Sequence, residues 1–413
     1  MKYPFLFILS LFAPLLFIAC VWNNTENDPS YLAIDDSEYP YANLPRIIIE
    51  TENFKHIRDT ETKIPAKLQI WGEKGPLSQV LDLTVKGHGN SSFHSVPQFS
   101  INLAFDDKLS ILGMPKNKDW VLISNFVDKT TIKNALIYNL AQRLGDEYTI
   151  KSKFIELYLN REYMGVYLIS ESIKVASKRI NIPENDSSFL FEKTSLYRLN
   201  DPSIQSKKGY IFRIRSPKNP SQQSKDILKE HLDLWENVLF SSKFSSTDAD
   251  SFLDVNDFIR YFWIQEFSKN HDGRFNRSIL FTWEKGKLIK MGPLWDFDES
   301  FGNNGAKPHR QEPTGWFAKN SGWFRPFFDN PQLWNQTVNY WIDHKNEFQA
   351  TLDSIDAFAI PIKPALQNHF KRWDILSNEN FWAYQEGYSN YDESLDSLKS
   401  WIQQRIQWID QNL

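Results

Sequence analysis

The stretch GPLWDFDESFG, residues 292–302, sets two carboxylates either side of Phe297 directly after an apolar run. Asp296 and Asp298 at a strand end, beside a hydrophobic wall, are expensive unless something positive meets them. A hard divalent cation such as Mg²⁺ suits such a pair, because it takes oxygen ligands and keeps waters that phosphate oxygens can replace. Upstream, KNHDGRFNR (269–277) offers Asp272 and Asn276 in a loop between a helical stretch and a hairpin. A bland alternative stays open: these acids cap turns, or pair with Arg274, Arg277 or Lys290. A second constellation is KGHGNSS, residues 86–92. Its glycines let backbone approach a ligand, and exposed N–H groups with Ser hydroxyls can hold phosphate oxygens. A tight turn needing positive φ explains the same pattern, and His88 reads as a turn or surface histidine. The third feature is Glu171, closing VYLISES, with Lys86 as a candidate ion-pair partner; a solvated strand-end Glu is the alternative.

These residues need elements to hold them. From residue 46, short β-type runs dominate: RIIIET, AKLQIW, LDLTVKG, QFSINLAF and DWVLISNF, punctuated by Gly, Pro and Asp-Lys turns. Ile132, Leu136, Leu140 and Leu144 recur every four residues, which predicts a helix over 129–144 capped by Asp128 and ended by Gly145. FIELYLN-REYMGVYLIS reads as a hairpin turning near Asn160 and Arg161, and SFLFEKT and GYIFRIRS as two further strands. After about residue 221, helical spacing takes over in SQQSKDILKEHLDLWENVLF and DVNDFIRYFWIQEFSKN, and SILFTW-EKGK-LIKMGPLW forms a second hairpin leading into Asp296. The expected plan is a β-rich part over 46–220 followed by a mostly helical part over 221–413.

The 413-residue chain is globular in composition, with 24% charged and 41% hydrophobic residues and 15 Trp, 16 Tyr and 31 Phe. A net charge of −4 provides no basic field for nucleic acid. Zinc is disfavoured by eight His without a His-x-x-x-His pair, and no Ser/His/Asp set has motif context. Lys2 followed by FLFILSLFAPLLFIA has the layout of a secretory signal over 1–19, and the lone Cys20 beyond it fits a lipoprotein box, with Phe17 a departure. An uncleaved anchor, or an ordinary signal with a chance Cys, is the alternative. The polar, proline-bearing 20–45 reads as a tether. The expectation is a lipid-anchored protein of the bacterial cell envelope, whose mature part has no disulfide framework.

The order helix, Asp-x-x-x-Asn loop, two strands, Asp-Phe-Asp is similar to that of protein kinases. Taken together, KGHGNSS, LGMPKNKDWVLISNFVDKTTIKNALIYNLAQRLG, FIELYLNREYMGVYLISESIKVASKRINI, KNHDGRFNRSILFTW and GPLWDFDESFG resemble, in this order, segments of the CotH (spore coat protein H) family of secreted atypical kinases. The resemblance runs over about 46–345. It implies an α+β, divergent protein-kinase-like two-lobe fold that transfers the ATP γ-phosphoryl to Ser or Thr of exported proteins with Mg²⁺ or Mn²⁺. By the same resemblance, Asp296 is the principal metal ligand and Asp298 a second. Asp272 is the catalytic-loop acid, Asn276 assists with metal, Glu171 is the ion-pair carboxylate, and Lys86, Gly87, Gly89, Asn90 and Ser91 lie near nucleotide. Three places depart from the family pattern. HSVPQFSINL lacks the Lys-Lys pair that usually precedes this strand, Ile132-Lys133-Asn134 replaces Leu-Arg-Asn, and Leu-Tyr-Leu-Asn-Arg replaces Leu-Tyr-Leu-Asn-Gly. The missing lysines motivate a second reading, an inactive surface pseudokinase or a polysaccharide-binding module stacking sugars on Trp316 and Trp323. A metal-dependent phosphohydrolase using the same acids is the third.

Overall fold

The computed structural model describes residues 32, 34–89, 91–194, 201–303, 312–378 and 387–413. The expected signal segment 1–19, Cys20 and Asn90 lie outside these residues, as does the side chain of Ser91. Among the described residues no helix is long and apolar enough to cross a membrane.

The early strands close on themselves. β1 (Arg46–Thr51), β2 (Ile64–Gly72), β4 (Leu81–His88), β5 (Ser100–Leu109), β6 (Asn117–Ser124), β7 (Ser152–Leu159) and β8 (Glu162–Glu171) pair in the order β1-β7-β8-β6-β5-β4-β2, and β1 then pairs with β2. The ring is a seven-stranded barrel, with the two-residue β3 (Gly75–Pro76) on the edge of β2. Period-two alternation fills its interior with Ile47, Ile49, Leu68, Val85, Leu103, Trp120, Leu157 and Ile169. The turn between β7 and β8 falls at Asn160 and Arg161, both at positive φ, as the hairpin pattern predicts.

A second sheet lies beyond the barrel. β9 (Ser188–Thr194), β10 (Ser203–Gln205), β11 (Ile211–Ser216), β12 (Ile279–Glu284) and β13 (Lys290–Met291) align as β10-β11-β9-β12-β13. β12 pairs with β9 along its length, so this sheet joins strands from both sides of the expected 220/221 boundary. One apolar cluster likewise runs from Ala42 to Ile409. Burial thus ties together the two parts that composition separates.

The helices are α1 (Ser91–His94), α2 (Lys133–Arg143), α3 (Gln222–Leu239), α4 (Ser246–Asp250), α5 (Val255–Ser268), α6 (Phe324–Phe328), α7 (Pro331–Gln349), α8 (Thr351–Arg372) and α9 (Tyr391–Gln411). α2 starts four residues later than the leucine spacing suggests. The Asp128 carboxylate accepts from Thr130 N at 3.0 Å and Lys133 N at 2.9 Å, so 129–132 form a capping turn. α5 starts as expected, with the Asp254 side chain accepting from Asp257 N. The fold is α+β.

Candidate functional site

Phe297 explains the spacing of the two acids. Its ring is fully buried in the main core, while Asp296 and Asp298 on either side remain partly accessible. Backbone bonds pin the segment to β12, to the end of α5 and to the loop after it: Gly292 N donates to Leu280 O at 2.7 Å, Phe301 N to Ser268 O at 2.7 Å and His271 N to Glu299 O at 3.2 Å. Asp296 has φ +70°, a conformation that an Asp tolerates better than most residues.

These bonds bring the 270–278 loop against the acids. The Ser278 hydroxyl lies 2.9 Å from Asp296 Oδ2 and 3.4 Å from Asp272 Oδ2, bridging the two carboxylates. Arg277 Nε donates to Asp272 Oδ1 at 2.7 Å. The open alternative therefore holds in part, since Asp272 does pair with Arg277. Burial, and then the charge of Asp296, push Asp272 up to about 7 despite that arginine. Burial, Asp296, Glu299 and Asp272 together hold Asp298 well above the usual carboxylate range. Crowded carboxylates thus raise one another, as like charges at short range do.

Helix α2 supplies one cation and two further contacts. Lys133, buried at its first turn, sits 3.5 Å from Asp128 and within the field of Asp298; burial lowers its pKa against both acids. Asn134 Oδ1 accepts from Phe297 N at 2.9 Å, fixing the backbone between the acids. Tyr138 is buried one turn further on, and its hydroxyl is pushed up by burial, Asp296 and Asp298. In the sequence Lys133 and Asn134 stand out only where Ile132-Lys133-Asn134 replaces Leu-Arg-Asn, and nothing there points to Ser278. The helical period, which puts 134 and 138 on one face, was the available signal.

Other expected residues fall elsewhere. Asn276, expected to assist with metal, is exposed, and its carbonyl accepts from Lys193 Nζ at 3.1 Å, while Ser278 stands between Asp272 and Asp296. Glu171 does not meet Lys86. Strand register aligns Lys86, Asn102, Val121 and Ser170 in one row, and Val85, Leu103, Trp120 and Glu171 in the next. Successive rows face opposite sides, so Glu171 lies with the barrel-interior set and Lys86 on the outer face. Glu171 instead accepts from Lys151 N at 3.0 Å and faces Arg179 Nε at 3.7 Å, lining a small cavity of 140 Å³. Lys86 lies near Asp59.

Gly87 and Gly89 have structural reasons to be glycine. A Cβ on Gly87 would stand 2.3 Å from the Phe93 ring and 2.8 Å from Asp59 O, and Gly89 has φ +89°. Among the described residues of this segment, His88 reaches the acid-bearing loop. Its ring meets Trp295 edge-on at 5.9 Å, and its Nδ1 lies 3.1 Å from Asn102 Oδ1. Trp323, a proposed stacking platform, is fully buried. Trp316 is half-buried, with Lys319 Nζ 4.7 Å from its ring centre.

Among the described residues no three His, Cys, Asp or Glu side chains stand in metal-ligand geometry. Two carboxylates completed by waters and phosphate oxygens are nevertheless a donor set that Mg²⁺ uses. The mutual crowding of Asp272, Asp296 and Asp298 fits a dication, because added positive charge would relieve all three.

The arrangement is a barrel face and a helix N-terminus closing over a carboxylate cluster, with Lys133 and Arg277 among the cations beside it. Residues 85–409 match the family model described as CotH kinase protein, which spans most of the chain. The chain belongs to the CotH kinase family. No curated protein matches it.

Proposed function

We propose that the chain is a kinase of exported proteins, moving the ATP γ-phosphoryl to a Ser or Thr hydroxyl within a divergent two-lobe kinase-like fold. The observation that carries this reading is the meeting of Asp272, Ser278 and Asp296, from two distant segments, beside Asp298 and Lys133. Asp296, with Asp298, would hold Mg²⁺ or Mn²⁺, and the ion would supply charge neutralisation on the phosphates. Asp272, lifted to about 7, is suited to accept the acceptor hydroxyl's proton near neutral pH, and Arg277 orients its other oxygen. His88, on the outer barrel face with Lys86 and Asn102, meets Trp295 beside the acids, which supports a nucleotide on this side.

Protein kinases join a strand lysine to a helix glutamate. α2 carries no acidic residue and presents Lys133 in place of a glutamate, so charge near the acids comes from the helix itself. Catalysis in such a site is mostly positioning and electrostatic stabilisation, so loss of Asp296 is expected to cost far more than loss of a loop serine. The chain is further read as held at the cell envelope by a lipid on Cys20, with the tether 20–45 reaching the fold. Labelling of a protein acceptor with γ-³²P-ATP and Mn²⁺, in wild type and Asp296→Ala, tests the activity. Equal labelling in the two would reject the assigned site, and phosphate release without any acceptor would favour the phosphohydrolase reading.

A further inference from the structure

The turn that opens α2 is tied to the acid-bearing segment on both sides of Lys133. Before it, Asn303 Nδ2 donates at 2.7 Å to Val127 O and at 2.7 Å to Asp298 O, so the residue preceding Asp128 and the backbone of Asp298 share one amide. After it, Asn134 Oδ1 accepts from Phe297 N at 2.9 Å. The Lys133 side chain is buried, and among the described residues its ammonium has one ion-pair partner, Asp128 Oδ1 at 3.5 Å. That carboxylate is already engaged: Oδ1 accepts from Thr130 N at 3.0 Å and from Thr130 Oγ1 at 2.6 Å, and Oδ2 accepts from Lys133 N at 2.9 Å. Asp128 is therefore fixed, and it keeps the ammonium at the long end of ion-pair range. An ammonium donates three hydrogen bonds, so this one has capacity for a further acceptor. The second carboxylate whose field it feels is Asp298. α2 has no acid of its own to compete for it, since KNALIYNLAQR contains neither Asp nor Glu. Arg277, by contrast, is committed to Asp272.

We infer that Lys133 couples the two ligands of this site: held beside the acids by Asp128, its ammonium opposes a divalent ion that comes alone and binds the phosphates of a nucleotide that brings the ion with it. A cation next to the cluster repels a bare dication, whereas the phosphates of a metal–nucleotide complex carry net negative charge that it attracts. The inference rests on the nucleotide reading above and adds an order of binding to it, in which ion and nucleotide enter together. Lys133 would touch the nucleotide, and Asp128 is a positioning residue that acts through Lys133.

The test is calorimetric titration of Mn²⁺ alone, and of ATP in saturating Mn²⁺, into the full-length protein and its variants, each shown to be folded by a cooperative melt. Lys133→Met removes the charge and keeps the apolar stem. It is expected to tighten bare Mn²⁺ about fivefold and to weaken Mn²⁺–ATP at least about tenfold. Lys133→Arg keeps the charge and is expected to stay within about threefold of wild type for both ligands. Asp128→Asn keeps an oxygen for the capping turn and releases the ammonium toward Asp298, so bare Mn²⁺ is expected to weaken about fivefold, a loss that adding Lys133→Met cancels. A lysine with a merely structural role would weaken both ligands together when replaced. Should Lys133→Met fail to fold, Lys133→Gln takes its place with the same expected signs. Weaker bare Mn²⁺ in the neutral variant, or unchanged Mn²⁺–ATP, overturns the coupling. A loss in Asp128→Asn that persists with Lys133→Met overturns the positioning role of Asp128. Wild type that binds Mn²⁺ but no nucleotide overturns the proposed function and this inference together, whereas wild type that binds Mn²⁺–ATP no more tightly than Lys133→Met overturns this inference alone.

Discussion

Neutralising Asp296 should stabilise the metal-free protein while destroying its ability to hold a metal. The Ser278 hydroxyl caps the separation of the nearest Asp272 and Asp296 oxygens at about 6 Å. Two like charges at about 6 Å repel by roughly 3 kcal/mol at an effective dielectric near 20. Asp296→Asn removes that repulsion and keeps an oxygen that can accept from Ser278. Asn also suits φ +70° as well as any non-glycine residue, so the substitution adds no backbone strain. Allowing for the half that solvent and Arg277 already screen, the gain is about 1–2 kcal/mol at pH 8. The assay is equilibrium urea unfolding with a chelator present, for wild type, Asp296→Asn and Asp296→Ala. The expected order is Asn above wild type, with Ala below Asn because it loses the Ser278 bond and fits positive φ poorly. Addition of Mn²⁺ should raise the wild-type midpoint and leave the Asn variant where it was. Destabilisation of Asp296→Asn by more than about 1 kcal/mol would refute the reasoning, since it would mean that the carboxylate is already compensated. Sites held in such frustration are where activity and stability oppose one another.

Other outcomes follow from the same structure. His369 is buried, accepts from Val166 N at 3.2 Å and is lowered to about 3 by burial. The unfolded chain takes up its proton below about 6.5 and the folded one does not, so this group's contribution is complete above that pH and falls as pH drops; urea melts should show about 2 kcal/mol lost by pH 5, and His369→Gln should flatten the slope. Asn134→Ala strands Phe297 N and should cost about 1–3 kcal/mol by denaturant titration, weakening Mn²⁺ binding as well. Gly87→Ala drives a methyl into Phe93 and should cost about 1–3 kcal/mol in the same assay, partly relieved by Phe93→Leu. Trp323→Ala should cost about 3–5 kcal/mol, so any loss of carbohydrate retention in that variant would report unfolding and not a lost platform.

The strands and both hairpins were readable because alternation and turn residues are local. Residues 188–194 form the predicted strand end to end, and Asn160-Arg161 makes the turn that its pattern announces. Barrel closure was not readable, because it rests on β1 pairing in parallel with β7 across a long stretch of chain, and no local pattern encodes a partner. The same gap explains Glu171. A strand-end Glu and a strand Lys look interchangeable in sequence, yet a one-residue difference in register puts them on opposite sides of a wall. That Asp272 and Asp296 come together was legible because a loop acid, a hairpin and a flanked Phe have a recognisable order. Ser278 was not, since its role depends on how far the 270–278 loop folds back. The α2 contribution was hidden for a different reason: Lys133 and Asn134 open a helix whose Ile132, Leu136, Leu140 and Leu144 spacing dominates the reading. The 220/221 division followed a real shift in composition, but β12 returns to β9 and removes it as a structural border.

The central claim is that Asp296 anchors a divalent ion over a nucleotide's phosphates, and calorimetric titration of ATP with and without Mg²⁺ tests it most directly. The account predicts that wild type binds ATP only when Mg²⁺ is present and that Asp296→Ala, folded by its cooperative melt, binds neither way. Metal-independent ATP binding, binding unchanged in the variant, or no binding to the folded wild type would contradict it.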